Sequence, residues 1–67
     1  MVTYYKVKTV KIDKIFNSIT DALSLFNDYK IGIKDHYKHL YVKTENNEEV
    51  LIKGMFFNEE FGVIKVV

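Results

Sequence analysis

The chain contains no cysteine, proline, tryptophan, arginine or glutamine, and only three glycines in 67 residues. Without Cys, no disulfide can staple a small fold and no thiolate can hold a metal. Without Arg, the planar fork that reads guanine and clamps phosphate is missing. All ten basic residues are lysines, which act as point charges on flexible stems. No Gly-rich phosphate loop occurs. No apolar run is long enough to cross a bilayer, and the opening MVTYYKVK lacks the apolar stretch of a signal peptide. The default expectation is therefore a soluble, cytoplasmic protein that does not engage membrane. The net charge of +1 is too small to imply a partner by itself.

What is present is apolar and aromatic. Hydrophobic residues make up 48% of the chain, and five Tyr and five Phe supply bulk that a single domain of residues 1–67 needs for its core. The heavy use of Lys, Ile, Asn, Tyr and Phe is typical of AT-rich coding.

The clearest shape signal lies in HLYVKTENNEEVLIKGMFF, His39 to Phe57. Two period-two runs rich in β-branched and aromatic residues flank a polar turn, which predicts a β-hairpin. A two-residue Asn46-Asn47 turn would set Val42 against Leu51 and Leu40 against Lys53, mixing the faces. A three-residue loop, Glu45 to Asn47, instead pairs Val42 with Val50, Leu40 with Ile52, Tyr41 with Leu51 and Lys43 with Glu49. It also places Asn47 at a left-handed position.

Val2 to Ile12 predicts a first strand whose apolar phase shifts after Lys8-Thr9. Either a bulge there or a strand that ends near Thr9 explains the shift. Asp13 to Asn17 is expected to connect, with Ile15 and Phe16 tucked under a helix. That helix is capped by Ser18, with Asp21 three residues on. Its apolar stripe is Ile19, Ala22, Leu23, Phe26 and Tyr29, and Gly32 is the expected stop. A last strand spans Gly62 to Val67, and Gly62 invites positive φ. Gly54, in mid-strand, marks a bulge or a close approach. The order β-α-β-β-β predicts a two-layer α+β fold, one amphipathic helix on a four-stranded, mostly antiparallel sheet. The first strand can join beside the last strand or beside the second.

Constellations with catalytic or metal-binding chemistry are sparse. His36 and His39, with Asp35 beside them, have H-x-x-H spacing across a loop-to-strand junction, but no further ligand stands at a telling distance, and two surface histidines are the simpler reading. Glu45, Glu48, Glu49, Glu59 and Glu60 gather in turns, where carboxylates are solvated and poorly suited to general acid chemistry. Ser18 and Ser24 have no nearby His. No catalytic, cofactor or metal residue is assigned, no cofactor is expected, and the chain is not expected to be an enzyme.

The alternation predicts a helix-facing set of Tyr5, Val7, Leu40, Val42, Val50, Ile52, Ile64 and Val66. The opposite face then carries Tyr4, Lys6, Lys8, His39, Tyr41, Lys43, Leu51, Lys53, Met55, Val63 and Lys65. Lysines on an open sheet are ordinarily solvent-facing guards against edge pairing. Read functionally, Tyr41, Leu51, Met55 and Val63 ringed by lysines suit protein docking, since Met and Tyr are common anchors. The leading expectation is a non-enzymatic protein-binding module. By analogy with small AT-rich frames of mobile elements and phages, it would act as an accessory or inhibitor of a host protein. The alternative is nucleic-acid binding on the Lys/Tyr face, by stacking and phosphate attraction. A homodimer through the sheet face or the last strand's edge is also expected of so small a domain.

Overall fold

The computed structural model describes residues Met1–Val67. Five strands and one helix follow in the order β1 (Val2–Thr9), β2 (Asp13–Phe16), α1 (Ile19–Asp28), β3 (Tyr37–Thr44), β4 (Val50–Asn58) and β5 (Gly62–Lys65). The strands form one antiparallel sheet in the order β2-β1-β3-β4-β5. With α1 on one face, this is the two-layer α+β arrangement, with five strands where the sequence predicts four. The first strand lies beside β3, at the centre of the sheet.

The extra strand is the segment expected to connect. The apolar phase shift after Lys8 is a strand end: the Thr9 hydroxyl accepts from the Lys11 and Ile12 amides at 3.1 and 3.0 Å, and the Thr9 amide donates to the Ile12 carbonyl at 2.7 Å. Those bonds fold the chain back, and Asp13–Phe16 pairs with Lys8–Tyr5. Phe16 packs against the core, whereas Ile15 points to the opposite face and stays 56% exposed. With no Gly, Pro or Asn at this turn, a hydroxyl supplies the bonds that turn residues usually provide.

α1 begins at Ser18, whose hydroxyl accepts from the Asp21 amide at 3.4 Å. It ends four residues before Gly32, at Asp28, with Tyr29 extended. The reason is tertiary. Lys38, from β3, drives its ammonium under the helix end and donates to the carbonyls of Phe26 and Tyr29 at 2.5 and 2.9 Å. A side chain from another element thus satisfies carbonyls that a terminal Gly motif would otherwise engage. The core is small: Val7, Ala22, Phe26 and Leu40 are fully buried. Tyr5, Phe16, Ile19, Leu23, Leu25, Ile52 and Met55 pack around them.

Register decides which residues face α1. Val42 pairs with Val50 and Tyr41 with Leu51, as the alternation predicts. Leu40, however, pairs with Lys53, and Ile52 is the extra residue of a β-bulge. A bulge inverts the phase of everything beyond it. Lys53, Met55 and, across β5, Val63 and Lys65 therefore lie on the helix side. Gly54, Phe56, Ile64 and Val66 lie on the open face. The expected assignments of those residues are corrected accordingly. Gly54 suits its place, because an added Cβ would meet the His39 ring at 3.3 Å.

The β3–β4 connection also departs from expectation. No residue other than Gly62, at φ 83°, has positive φ, so Asn47 is not left-handed. Instead the Lys43 ammonium donates to the carbonyls of Thr44 and Asn47 at 2.7 and 2.6 Å, and the Asn47 amide donates to the Thr44 hydroxyl at 3.1 Å. Side chains hold this loop.

Candidate functional site

The two faces of the sheet present different chemistry. On the open face, the register brings Tyr4, Lys6 and Lys8 of β1 beside Lys43, Tyr41 and His39 of β3, with Leu51 beyond. These are the members of the expected face that do come together. Tyr4, Lys6, Lys8, Tyr41 and Lys43, with Glu48 and Glu49, line a shallow depression of about 510 Å³.

Its charges are already matched from within. Glu49 does not face Lys43 as expected. It accepts from the Tyr4 hydroxyl at 2.5 Å and from the Lys6 ammonium at 2.8 Å. Asp13 of β2 stands 3.9 Å from Lys6 and 3.6 Å from Lys8. Lys43 is turned into the loop. The bond from Lys6, and then that from Tyr4, hold the Glu49 carboxyl below the ordinary glutamate range. The same contacts raise the Tyr4 phenol and the Lys6 amine. The sequence reading missed Asp13 and Glu49 as members of this face. Only the β1–β2 hairpin and the loop path deliver them.

A row of rings runs along β3 on the same face. The Tyr37 and His39 rings lie 4.8 Å apart between centroids, tilted by 40°, and His39 meets Tyr41 edge-on at 5.8 Å. Burial, with the Lys8 charge adding to it, pushes the His39 imidazole pKa down and favours the neutral ring. His36 is exposed, and no three metal-capable side chains converge anywhere in the chain.

The helix side is only half covered. α1 packs over β1, β2 and β3, and its backbone stays clear of β4 and β5. The inner edge of β4 reaches the helix through side chains alone: Lys53 stands 5.8 Å from the Phe26 ring centre, and Met55 touches the core. Beyond that edge, Met55, Val63 and Ile31 sit in a groove of about 340 Å³, with Lys30, Lys38, Asn27 and Tyr29. Phe57, paired with Val63, extends the apolar strip. Val63 is 55% exposed. Lys65, opposite Met55, and Lys53, two residues before it, add charge to the rim. No carboxylate lines this groove.

The remaining four members of the expected face, Lys53, Met55, Val63 and Lys65, thus gather here, separated from the other seven by the thickness of the sheet. Ile31, Lys30, Lys38 and Phe57 join them and were not foreseen. The one local hint was Gly54, whose place in mid-strand marks a bulge or a close approach.

A buried polar network anchors the loop that forms the groove's end. The Tyr29 hydroxyl donates to the Asp35 carboxylate, which also accepts from the Val10 amide at 3.2 Å, and the Thr9 hydroxyl donates to the Tyr29 oxygen at 3.2 Å. The bond to Asp35 raises the Tyr29 phenol. Burial, and then the Lys53 charge, lower the Lys38 amine. Every buried side-chain nitrogen and oxygen has a partner.

No helix is long and apolar enough to cross a membrane. Compared with protein-family models, curated proteins and solved structures, the chain matches none.

Proposed function

We propose that this chain is a non-enzymatic protein-binding module whose docking surface is the half of the helix side that α1 leaves bare. One observation carries the reading: a five-stranded sheet has a single helix, placed over β1, β2 and β3, and β4–β5 present an exposed Val63 with Met55 and Phe57 half-buried beside it. Partly exposed apolar side chains gathered in one groove with a charged rim have the anatomy of an interface core. The test is site-specific photocross-linking in the native cell, with the reactive side chain at Val63 or, for comparison, at Tyr41. A discrete protein adduct from position 63 and none from position 41 supports the reading. The same band from both positions, or nucleic acid captured at 41 alone, defeats it. The captured protein would also show whether the module is an accessory or an inhibitor of a host factor.

The nucleic-acid reading keeps one observation in its favour, the Tyr37–His39–Tyr41 row on a face that also carries Lys6, Lys8 and Lys43. Stacking on such rings tolerates any base. It ranks second because Glu49 and Asp13 already pair with Lys6 and Lys8, and a phosphate would have to displace them.

A further inference from the structure

We infer that the occupant of the bare half-sheet is an acidic amphipathic α-helix of a partner protein, lying beside α1. The inference rests on the docking reading above and names the partner that this surface fits.

Width comes first. Neighbouring strands lie about 4.8 Å apart, so five strands span roughly 19 Å between the outer axes. Packed helices sit about 8–10 Å apart, which leaves room for two helices side by side on such a sheet. α1 fills one place and leaves the place over β4–β5 open. The groove lies between the C-terminal end of α1, at Asn27, and Val63 on the edge strand. β4 and β5 pair from Met55 to Asn58 and from Gly62 to Lys65, about 13 Å of strand, which about nine residues of helix cover.

Charge comes second. The apolar floor of Met55, Val63 and Ile31 is rimmed by Lys30, Lys53 and Lys65, with the buried Lys38 ammonium behind it under the end of α1, and no carboxylate lines it. Asp28 lies within electrostatic reach of Lys38 but outside the lining, and Glu59 and Glu60 stand in the β4–β5 turn at the far end of the strip. The complement to such a strip is a helix with apolar residues at i, i+3, i+4 and i+7, flanked by Glu or Asp. A basic helix would meet three like charges on the rim, Lys30, Lys53 and Lys65. Unlike Lys6 and Lys8 of the open face, Lys30, Lys53 and Lys65 make no ion pair within the chain.

The test uses the full chain, labelled at the methyl groups of Met and Val, and three synthetic peptides of about 18 residues. One carries Leu at helical spacing with flanking Glu, one carries Lys in place of Glu, and one is an extended acidic peptide with alternating Val. The Glu peptide should shift the Met55 and Val63 methyls and gain helicity on binding. Lys53→Glu with Lys65→Glu should weaken it roughly tenfold and let the Lys peptide bind instead, since reversed charges penalise the wrong partner. Should that double variant fold poorly, Val63→Glu, at an exposed site, should abolish the shift alone.

Binding of the extended peptide along β5 in preference to the helix would overturn the inference and leave the docking reading intact. So would concentration-dependent shifts of the same methyls without peptide, which would mean that a second copy covers the strip. If no peptide moves Met55 or Val63 and position 63 cross-links nothing, both the inference and the reading fall.

Discussion

Lys38 ties β3 to the end of α1. It is buried, it caps two helix carbonyls, and its ammonium stands 4.6 Å from the Phe26 ring centre. Lys38→Met would keep the stem and strand both carbonyls, at a cost of about 1–3 kcal/mol. Urea unfolding should show that loss, and amide exchange should show α1 fraying from its C-terminal end. Glu49 is the corresponding residue on the open face. Its pKa is lowered in the folded chain, so its contribution is present above the ordinary glutamate value and is lost as pH falls through the folded one. Lys6 is raised, so its share persists until pH rises through its own elevated value. Lys6→Met should therefore be less stable than the parent at neutral pH. The two melting curves should converge under acid below the folded Glu49 value. A gap that persists there would mean that Lys6 acts by packing its stem.

Among the elements, α1 is held by one side chain above all. Phe26 is 0% exposed between Val7, Leu40 and the Lys38 stem. Phe26→Ala should cost about 3–5 kcal/mol, and Ile52→Ala, at a half-buried bulge position, distinctly less. Thermal melts of the two variants check the order. The β3–β4 loop gives a sharper contrast with sequence-based expectation. A left-handed Asn47 would make Asn47→Gly neutral or stabilising. With no positive φ there, and with its amide bonded to Thr44, the change removes a bond and loosens the unfolded chain. It should destabilise by up to about 1 kcal/mol. Gly62, in contrast, needs its φ of 83°, and a side chain there would be strained.

The whole molecule is elongated, 40 × 19 × 17 Å, with its buried residues at the α1 end of the sheet and little beneath β4–β5. Folding stability should therefore be insensitive to polar substitution in the bare half. Val63→Glu should change unfolding free energy by no more than about 0.5 kcal/mol, the usual range for a surface change. Leu40→Glu, at a fully buried site, should unfold the chain. Circular dichroism at increasing urea would show both. A large loss from Val63→Glu would mean that the bare strip belongs to the core.

Much of this was legible in local chemistry. Ser18 begins the helix and Gly62 takes positive φ because each depends on its own side chain or on having none. The Val42–Val50 and Tyr41–Leu51 pairs follow from strict alternation next to the turn. The α+β class follows from one amphipathic stripe among alternating strands. Tertiary structure decided whatever depended on a distant partner. The helix ends at Asp28 because Lys38 arrives from β3. The β1–β2 hairpin turns on a Thr hydroxyl that carries no special turn signature. Above all, one extra residue at Ile52 sends Lys53, Met55, Val63 and Lys65 to the opposite side from Tyr4, Lys6 and Tyr41. Period-two patterning cannot reveal such an inversion where both phases of a strand are apolar. Leu51, Ile52, Met55, Phe56 and Phe57 fit either face, and only packing against Phe26 and Leu40 selects between them.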